Sequence, residues 1–213
     1  PDGTPITGMI GDQQSALFGQ ACFERGSAKC TYGTGAFVLV NTGKEPVFSK
    51  HRLLTTVAWQ LGGEVTYGIE GSAFIAGAAV QWLRDELALV TKSSEIEALA
   101  RSVTDSDGVF FIPALSGLGS PYWAPHAKGL LGGLTRRSKK GHIARAALEG
   151  VAASIGDLAE GLAKDAGLRL KVLRVDGGAS ANGILLQMQS NLLRARILRP
   201  QDLENTARGA GYA

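Results

Sequence analysis

The 213-residue chain has few of the residues that announce chemistry on their own. It carries two cysteines, Cys22 and Cys30, and three histidines, His51, His126 and His142. The cysteines form no CxxC pair and the histidines share no spacing, so no zinc-site pattern is present. Sparse cysteine points away from a disulfide-stapled scaffold and towards a reducing compartment, with a cytoplasmic location expected. No apolar run reaches about 18 residues, so no membrane-spanning helix is expected. No Gly-x-Ser-x-Gly elbow exists, which removes support for a serine hydrolase triad. Charge of one sign is scarce too: 22 basic against 19 acidic residues leave a net charge of +3. The one basic cluster, Arg136, Arg137, Lys139 and Lys140 with His142 just beyond, reads as a solvated loop before a helix. It is too narrow for a nucleic-acid footprint and no aromatic residues interleave with it.

What is abundant is glycine, at 29 residues, or about 14%, roughly twice ordinary usage. The glycines follow no three-residue period, which excludes collagen. Hydrophobic residues at 45% and charged residues at 19% exclude disorder. The chain opens at Pro1 and closes in the small-residue stretch Thr206 to Ala213, which reads as the start of a helix. A piece of a longer chain is therefore expected, one domain with residues 1–213 inside it.

Ile6 to Ile10 reads as a strand and Ser15 to Cys22 as a short helix. Strands follow at Ala28–Tyr32, Ala36–Asn41, Leu53–Trp59 and Val65–Ile69, broken by Gly33-Thr34-Gly35 and Gly62-Gly63 as hairpin signals. Apolar residues at 75, 79, 83, 87 and 90 predict a helix over 73–90. Ser93 or Ser94 is expected to cap another helix, running to Val103. Further strands are predicted at Val109–Pro113, Leu130–Leu134, Val172–Asp176 and Arg196–Leu198. Ile143 to Leu162 marks a long helix ending near Gly167, and Asn182–Leu193 another. Trp59 and Trp82 read as core, and Trp123 as the anchor of a Gly- and Pro-rich loop or as a neighbour of a site. The order implies an α/β fold, a mixed sheet with helices on its faces.

Three segments have the composition of a site. Asp12, in Gly11-Asp12-Gln13-Gln14, follows an apolar run. It reads either as a proton acceptor or water-mediated metal ligand, or as a helix N-cap. Gly33-Thr34-Gly35 reads either as backbone N–H groups aimed at an anion or as a plain hairpin turn. Asp176-Gly177-Gly178, followed by Asn182, sits at the strand end where open α/β sheets bind ligands. It reads equally as a tight turn with an Asn cap, and lacks the Gly-Lys-Ser/Thr of a P-loop.

Taken together these segments resemble the C-terminal half of the FGGY carbohydrate kinases. The resemblance rests on the run Gly11 to Gln20, on Thr31-Tyr32-Gly33-Thr34-Gly35, on Leu54 to Trp59 and on Glu70-Gly71-Ser72. Gln81 to Asp85, Gly117 to Trp123, Gly129 to Glu149 and Asp176-Gly177-Gly178 complete it. It covers essentially the whole chain. The Asp12 to Gln20 run is similar to the glycerol-phosphorylating branch rather than to the xylulose, gluconate or ribulose kinases. What the resemblance implies is a ribonuclease-H-like domain of the actin and hexokinase type, using ATP and Mg2+ to phosphorylate glycerol. The missing N-terminal domain of the same chain would be its partner, the full-length enzyme can self-associate, and the piece alone would be inactive. Asp12 is implied as catalytic base, Gln13 as a glycerol ligand and Phe37 as an apolar wall. Gly33, Thr34 and Gly35 are implied as a phosphate loop, Gly77 and Gln81 as phosphate and ribose contacts, and Gly178 and Asn182 as adenosine contacts. The family's pattern is departed from in the loop Pro121 to His126, which lacks the usual Asp before the proline and Tyr after it, and at Cys30, Ala36 and Arg208, none of which touches Asp12, Thr34 or Gly178. Another FGGY sugar kinase, or a nucleotide-binding half without catalysis, remains open on sequence alone.

Overall fold

The computed structural model describes residue 3, residues 8–202 and residues 204–212. Ile6 and Thr7 of the expected first strand lie outside the described residues, and 8–10 has no regular structure. The first helix, α1 (Asp12–Gly19), starts three residues before the expected Ser15. Four antiparallel strands follow: β1 (Ala28–Tyr32), β2 (Ala36–Gly43), β3 (Leu54–Leu61) and β4 (Glu64–Ala73). The β3–β4 turn places Gly62 and Gly63 at φ of 53° and 87°, the left-handed pair that a two-residue hairpin demands.

β4 runs on to Ala73, so the helix expected over 73–90 is confined to α2 (Gly77–Asp85). Ser93–Glu95 is one 3-10 turn leading into α3 (Ile96–Arg101). Its cap is not a serine. The Glu95 carboxylate accepts the backbone N–H groups of Thr91 and Lys92 at 2.9 and 3.2 Å. β5 (Phe110–Ile112) and β6 (Leu130–Gly132) pair only with each other, as a separate ribbon. Between them Trp123 donates its indole N–H to the Arg52 carbonyl at 2.7 Å, which makes it an anchor for its loop. The long helix α4 (Lys140–Ala166) ends at Gly167 in the left-handed conformation, the usual C-terminal stop. β7 (Val172–Asp176), α5 (Gly183–Leu193), β8 (Arg196–Leu198) and α6 (Asn205–Tyr212) complete the chain.

The main sheet has the order β3-β4-β2-β1-β7-β8, antiparallel up to β1 and parallel beyond it. Strand alternation gives it two unlike faces. Cys30, Tyr32, Val38, Ile69 and Val175 point to one side and form the principal core with Val151, Ile155, Leu158 and Leu162 of α4. On the other side Leu39 meets Leu17 of α1, Cys22 and Ala58 in a second, small core, with Trp59 packed against it. Trp59 and Trp82 are half-buried at the edges of these cores, Trp82 stacking on Phe111.

Candidate functional site

The α1 side of the sheet is where polar groups gather. Because β1 alternates, Lys29 and Thr31 leave the face that carries Ala28, Cys30 and Tyr32. In the pairing register they stand across from Leu39 and Phe37 of β2, and Phe37 from Ser72 of β4. The start of α1 lies over this face. Gly11 is the N-cap and Asp12 the first helical residue, so Asp12 does not serve as the cap. Its exposed carboxylate accepts the Gln13 backbone N–H at 2.8 Å on Oδ1 and the Gln13 side-chain amide at 3.3 Å on Oδ2. The amide oxygen of Gln13 in turn accepts from Lys29 Nζ, which also donates to Thr31 Oγ1 at 2.9 Å.

Lys29 is fully buried. Burial lowers its pKa below the ordinary lysine value, against the pull of Asp176, Glu70 and Asp12. Burial likewise raises the Glu70 carboxyl, with Lys29 opposing and Asp12 adding to the rise. Asp176 is buried at the end of β7; Oδ2 accepts from Gln20 Nε2 at 3.1 Å, while Oδ1 has no hydrogen-bond partner. Sequence reasoning passed over Lys29. The available signal was a lone lysine inside the otherwise uncharged strand Ala28-Lys29-Cys30-Thr31-Tyr32.

From Thr31 the strand passes directly into the Gly33–Gly35 turn, which forms one wall of a cleft of about 470 Å³. Gly33, Thr34, Gly77, Gln81, Gly178 and Asn182 all line it, so six residues picked from distant parts of the sequence converge there. Val80, Ile96, Leu148, Val151 and Leu185 supply apolar lining; Ser93, Ser94 and Glu97 add polar groups that sequence reasoning did not assign to a site. Burial works to raise the Glu97 carboxyl, but donors from Arg101 and the Gly183 N–H outweigh it and hold its pKa low. A largely apolar cleft of this size with a few convergent polar groups is suited to a small organic ligand.

The glycines do different work around it. Gly35 is not among the residues lining the cleft: a Cβ there would lie 2.5 Å from the Ala73 carbonyl oxygen, so this glycine lets β2 approach the end of β4. The N–H of Gly77 is committed to the Gly33 carbonyl at 3.0 Å, and those of Ala76 and Ala78 to Thr34 O at 2.8 and 3.1 Å. The start of α2 is thereby tied to the turn. Gly177 has φ of 81°, and its missing Cβ makes room for the Tyr32 carbonyl. A Cβ on Gly178 would meet nothing within 4 Å. Asn182 lines the cleft and also caps α5, its Oδ1 accepting Leu185 N–H at 3.0 Å.

Elsewhere the chemistry is quiet. Burial pushes the thiols of Cys22 and Cys30 up to about 11 and about 12, which leaves neither as a nucleophile. No group of three or more His, Cys, Asp or Glu side chains suited to a metal ion occurs among the described residues. None of the described helices is long and apolar enough to cross a membrane.

The sequence matches the C-terminal domain of the FGGY family of carbohydrate kinases over residues 28–213. The chain belongs to that family. It is 58% identical over its whole length to the glycerol kinase of Bdellovibrio bacteriovorus and 57% identical to that of Myxococcus xanthus, spanning 43% of each. The structure of Plasmodium falciparum glycerol kinase with ADP superposes with a TM-score of 0.90 at 41% identity, over 97% of this chain and 41% of that one. A Brucella ovis xylulose kinase shares the fold at a TM-score of 0.83 and 24% identity. The mixed sheet with flanking helices is thus the actin-like fold that the resemblance implied. The chain spans less than half the length of the curated relatives it matches.

Proposed function

We propose that this chain is the nucleotide-binding and base-carrying C-terminal domain of an ATP-dependent glycerol kinase, which converts ATP and glycerol to ADP and sn-glycerol 3-phosphate. The observation that carries the reading is the adjacency along β1 of an exposed, oriented carboxylate and the cleft. Lys29 and Thr31 support Asp12 and Gln13, and two residues further on the strand becomes the turn that lines the cleft. High identity to glycerol kinases over the whole chain supports glycerol over other polyols.

Adenosine would lie against Gly178 and Asn182, where the backbone leaves open space, and the phosphates would run towards Thr34. Gln13 has one amide hydrogen left after binding Asp12, available to a glycerol hydroxyl. Phe37, half-buried on the same face, would cover the carbon chain. Asp12 takes the proton of the attacking hydroxyl as its oxygen bonds to the γ-phosphorus; the bond from that phosphorus to the bridging oxygen breaks and ADP leaves with the electron pair. Mg2+, when bound, neutralises phosphate charge. Asp12 is the exposed carboxylate able to hold it through water, whereas Asp176 is buried. Groups from the portion of the enzyme beyond this chain are needed to complete the polyol pocket and close the cleft. Buried free thiols agree with a cytoplasmic enzyme.

In the full-length enzyme, Asp12→Asn is expected to lower kcat by about 10³-fold or more while ATP binding by calorimetry is retained. Retained turnover would remove Asp12 as the base. A substrate panel of glycerol, xylulose, gluconate and ribulose tests the specificity, with preference for any of the last three overturning it.

A further inference from the structure

Lys29 is a buried amine whose two hydrogen-bond partners, Gln13 and Thr31, are both neutral. Burying an amine in this way costs stability. Packing alone gives no reason for it, since Leu39 stands directly across from it and an apolar side chain would extend the small core there. What the amine does touch is one end of a short chain of donors and acceptors that ends on Asp12.

We propose that Lys29 is a positioning residue for phosphoryl transfer: by holding the amide oxygen of Gln13 it turns the amide N–H of the same side chain onto the Asp12 carboxylate. The two ends of a glutamine amide differ only in what they offer, an acceptor at Oε1 and donors at Nε2. With Lys29 donating, Oε1 is the end that must face it, and Nε2 is then the end presented to Asp12 Oδ2 at 3.3 Å. The flipped amide would set donor against donor at Lys29 and acceptor against acceptor at Asp12, two unfavourable contacts in place of two hydrogen bonds. Thr31 Oγ1, at 2.9 Å, keeps the amine from swinging away. Both Asp12 oxygens are thus held by Gln13, one through its backbone and one through its side chain. Lys29 never reaches the reacting atoms; it sets the orientation of the base and of the remaining Gln13 hydrogen. The inference rests on the reading of Asp12 as the base.

The test is a kinetic cycle in the full-length enzyme with Lys29→Met and Gln13→Ala, alone and together. Lys29→Met is expected to lower kcat at least tenfold while KM for ATP stays within twofold and the thermal midpoint does not fall sharply. In the Gln13→Ala background the same change should alter kcat less than twofold, because its route to Asp12 is already cut. Thr31→Val, nearly isosteric, should give a smaller loss with the same split, and decides the matter if Lys29→Met does not fold. Unchanged kcat in Lys29→Met, a fully additive cycle, or a parallel rise in KM for ATP would overturn the proposal; where only Thr31→Val folds, unchanged kcat in it does so. Failure of the underlying reading shows differently, as turnover retained in Asp12→Asn. An inactive Asp12→Asn beside an unimpaired Lys29→Met refutes only the role of Lys29.

Discussion

At Gly177 the backbone has φ of 81° and ψ of 162°, and an added Cβ would stand 2.5 Å from the Tyr32 carbonyl oxygen. At its neighbour Gly178 an added Cβ meets nothing within 4 Å. The two glycines should therefore separate stability from binding. Gly177→Ala combines a glycine-only conformation with a backbone clash, so a loss of about 2 kcal/mol or more is expected, roughly 4–8 °C in Tm. Gly178→Val should leave Tm nearly unchanged and raise KM for ATP about tenfold or more, its side chain occupying cleft space. An unaltered KM would place the nucleotide elsewhere. Lys29 gives a pH signature. Its folded-state pKa lies below the unfolded value, so the unfolded chain binds more protons between the two and stability rises with pH across that window, up to the ordinary lysine value. Urea unfolding from pH 8 to 10.5 should show this rise in the parent and a weaker one in Lys29→Met. Asp12 and Thr34 could be picked from sequence because their motifs are local. Lys29 carried only the weaker signal of a lone lysine in an uncharged strand, and its burial could not be read locally, because β1 is an interior strand only by virtue of β7, whose residues 172–176 lie far along the chain.

Among the elements, α4 packs against α2, α3, α5, β2, β4 and β5, and its last turn is pinned by one carboxylate. Asp165 accepts from Ser49 Oγ, from the backbone N–H groups of Lys50 and His51 at 2.9 and 3.3 Å, and contacts His51 Nδ1 at 2.6 Å. Burial works to raise its pKa, but these partners outweigh burial and hold it below the ordinary aspartate value. A depressed folded-state pKa stabilises above the unfolded value, about 3.9, and that stabilisation is lost as pH falls through the lower, folded one. Asp165→Asn should cost about 1.5–3 kcal/mol near pH 7 by urea unfolding, with the gap from the parent closing towards pH 3. A gap that stays constant with pH would mean that the carboxylate charge contributes nothing. Most elements were legible in the sequence, since alternation over 28–32 and the 3.6-residue period over 143–162 are strong local patterns. The misreadings fall where a distant contact decides. β4 extends through Gly68 and Gly71 because β2 pairs with it along that length, and α2 starts late because the Gly33–Thr34 turn takes its first N–H groups. The isolation of β5 and β6 from the main sheet has no sequence signal at all.

For the molecule as a whole, the cleft and the carboxylate differ in how much of their surroundings this chain supplies. The cleft is walled here by the β1–β2 turn, α2, the segment Ser93 to Glu97, Leu148 and Val151 of α4, and the segment from Gly178 to Leu185. Asp12 instead lies exposed at the start of α1, while more than half of each related glycerol kinase lies outside the region this chain matches. The large core beneath α4 joins side chains of β1, β2, β4, β7 and α5 into one cluster, which favours folding of this domain as a unit. Nucleotide recognition should thus survive in the 213-residue chain and catalysis should not, because phosphoryl transfer needs both substrates held in line from both sides. Calorimetry with Mg2+ and ADP should detect binding with Kd on the order of 0.1–1 mM, about −4 to −5.5 kcal/mol. The Gly178→Val chain should show none under the same conditions. A coupled assay with ATP and glycerol should give no turnover above background. Turnover by the 213-residue chain would show that the carboxylate and cleft suffice alone. Equal heats from the parent and Gly178→Val chains would show that this cleft does not hold the nucleotide.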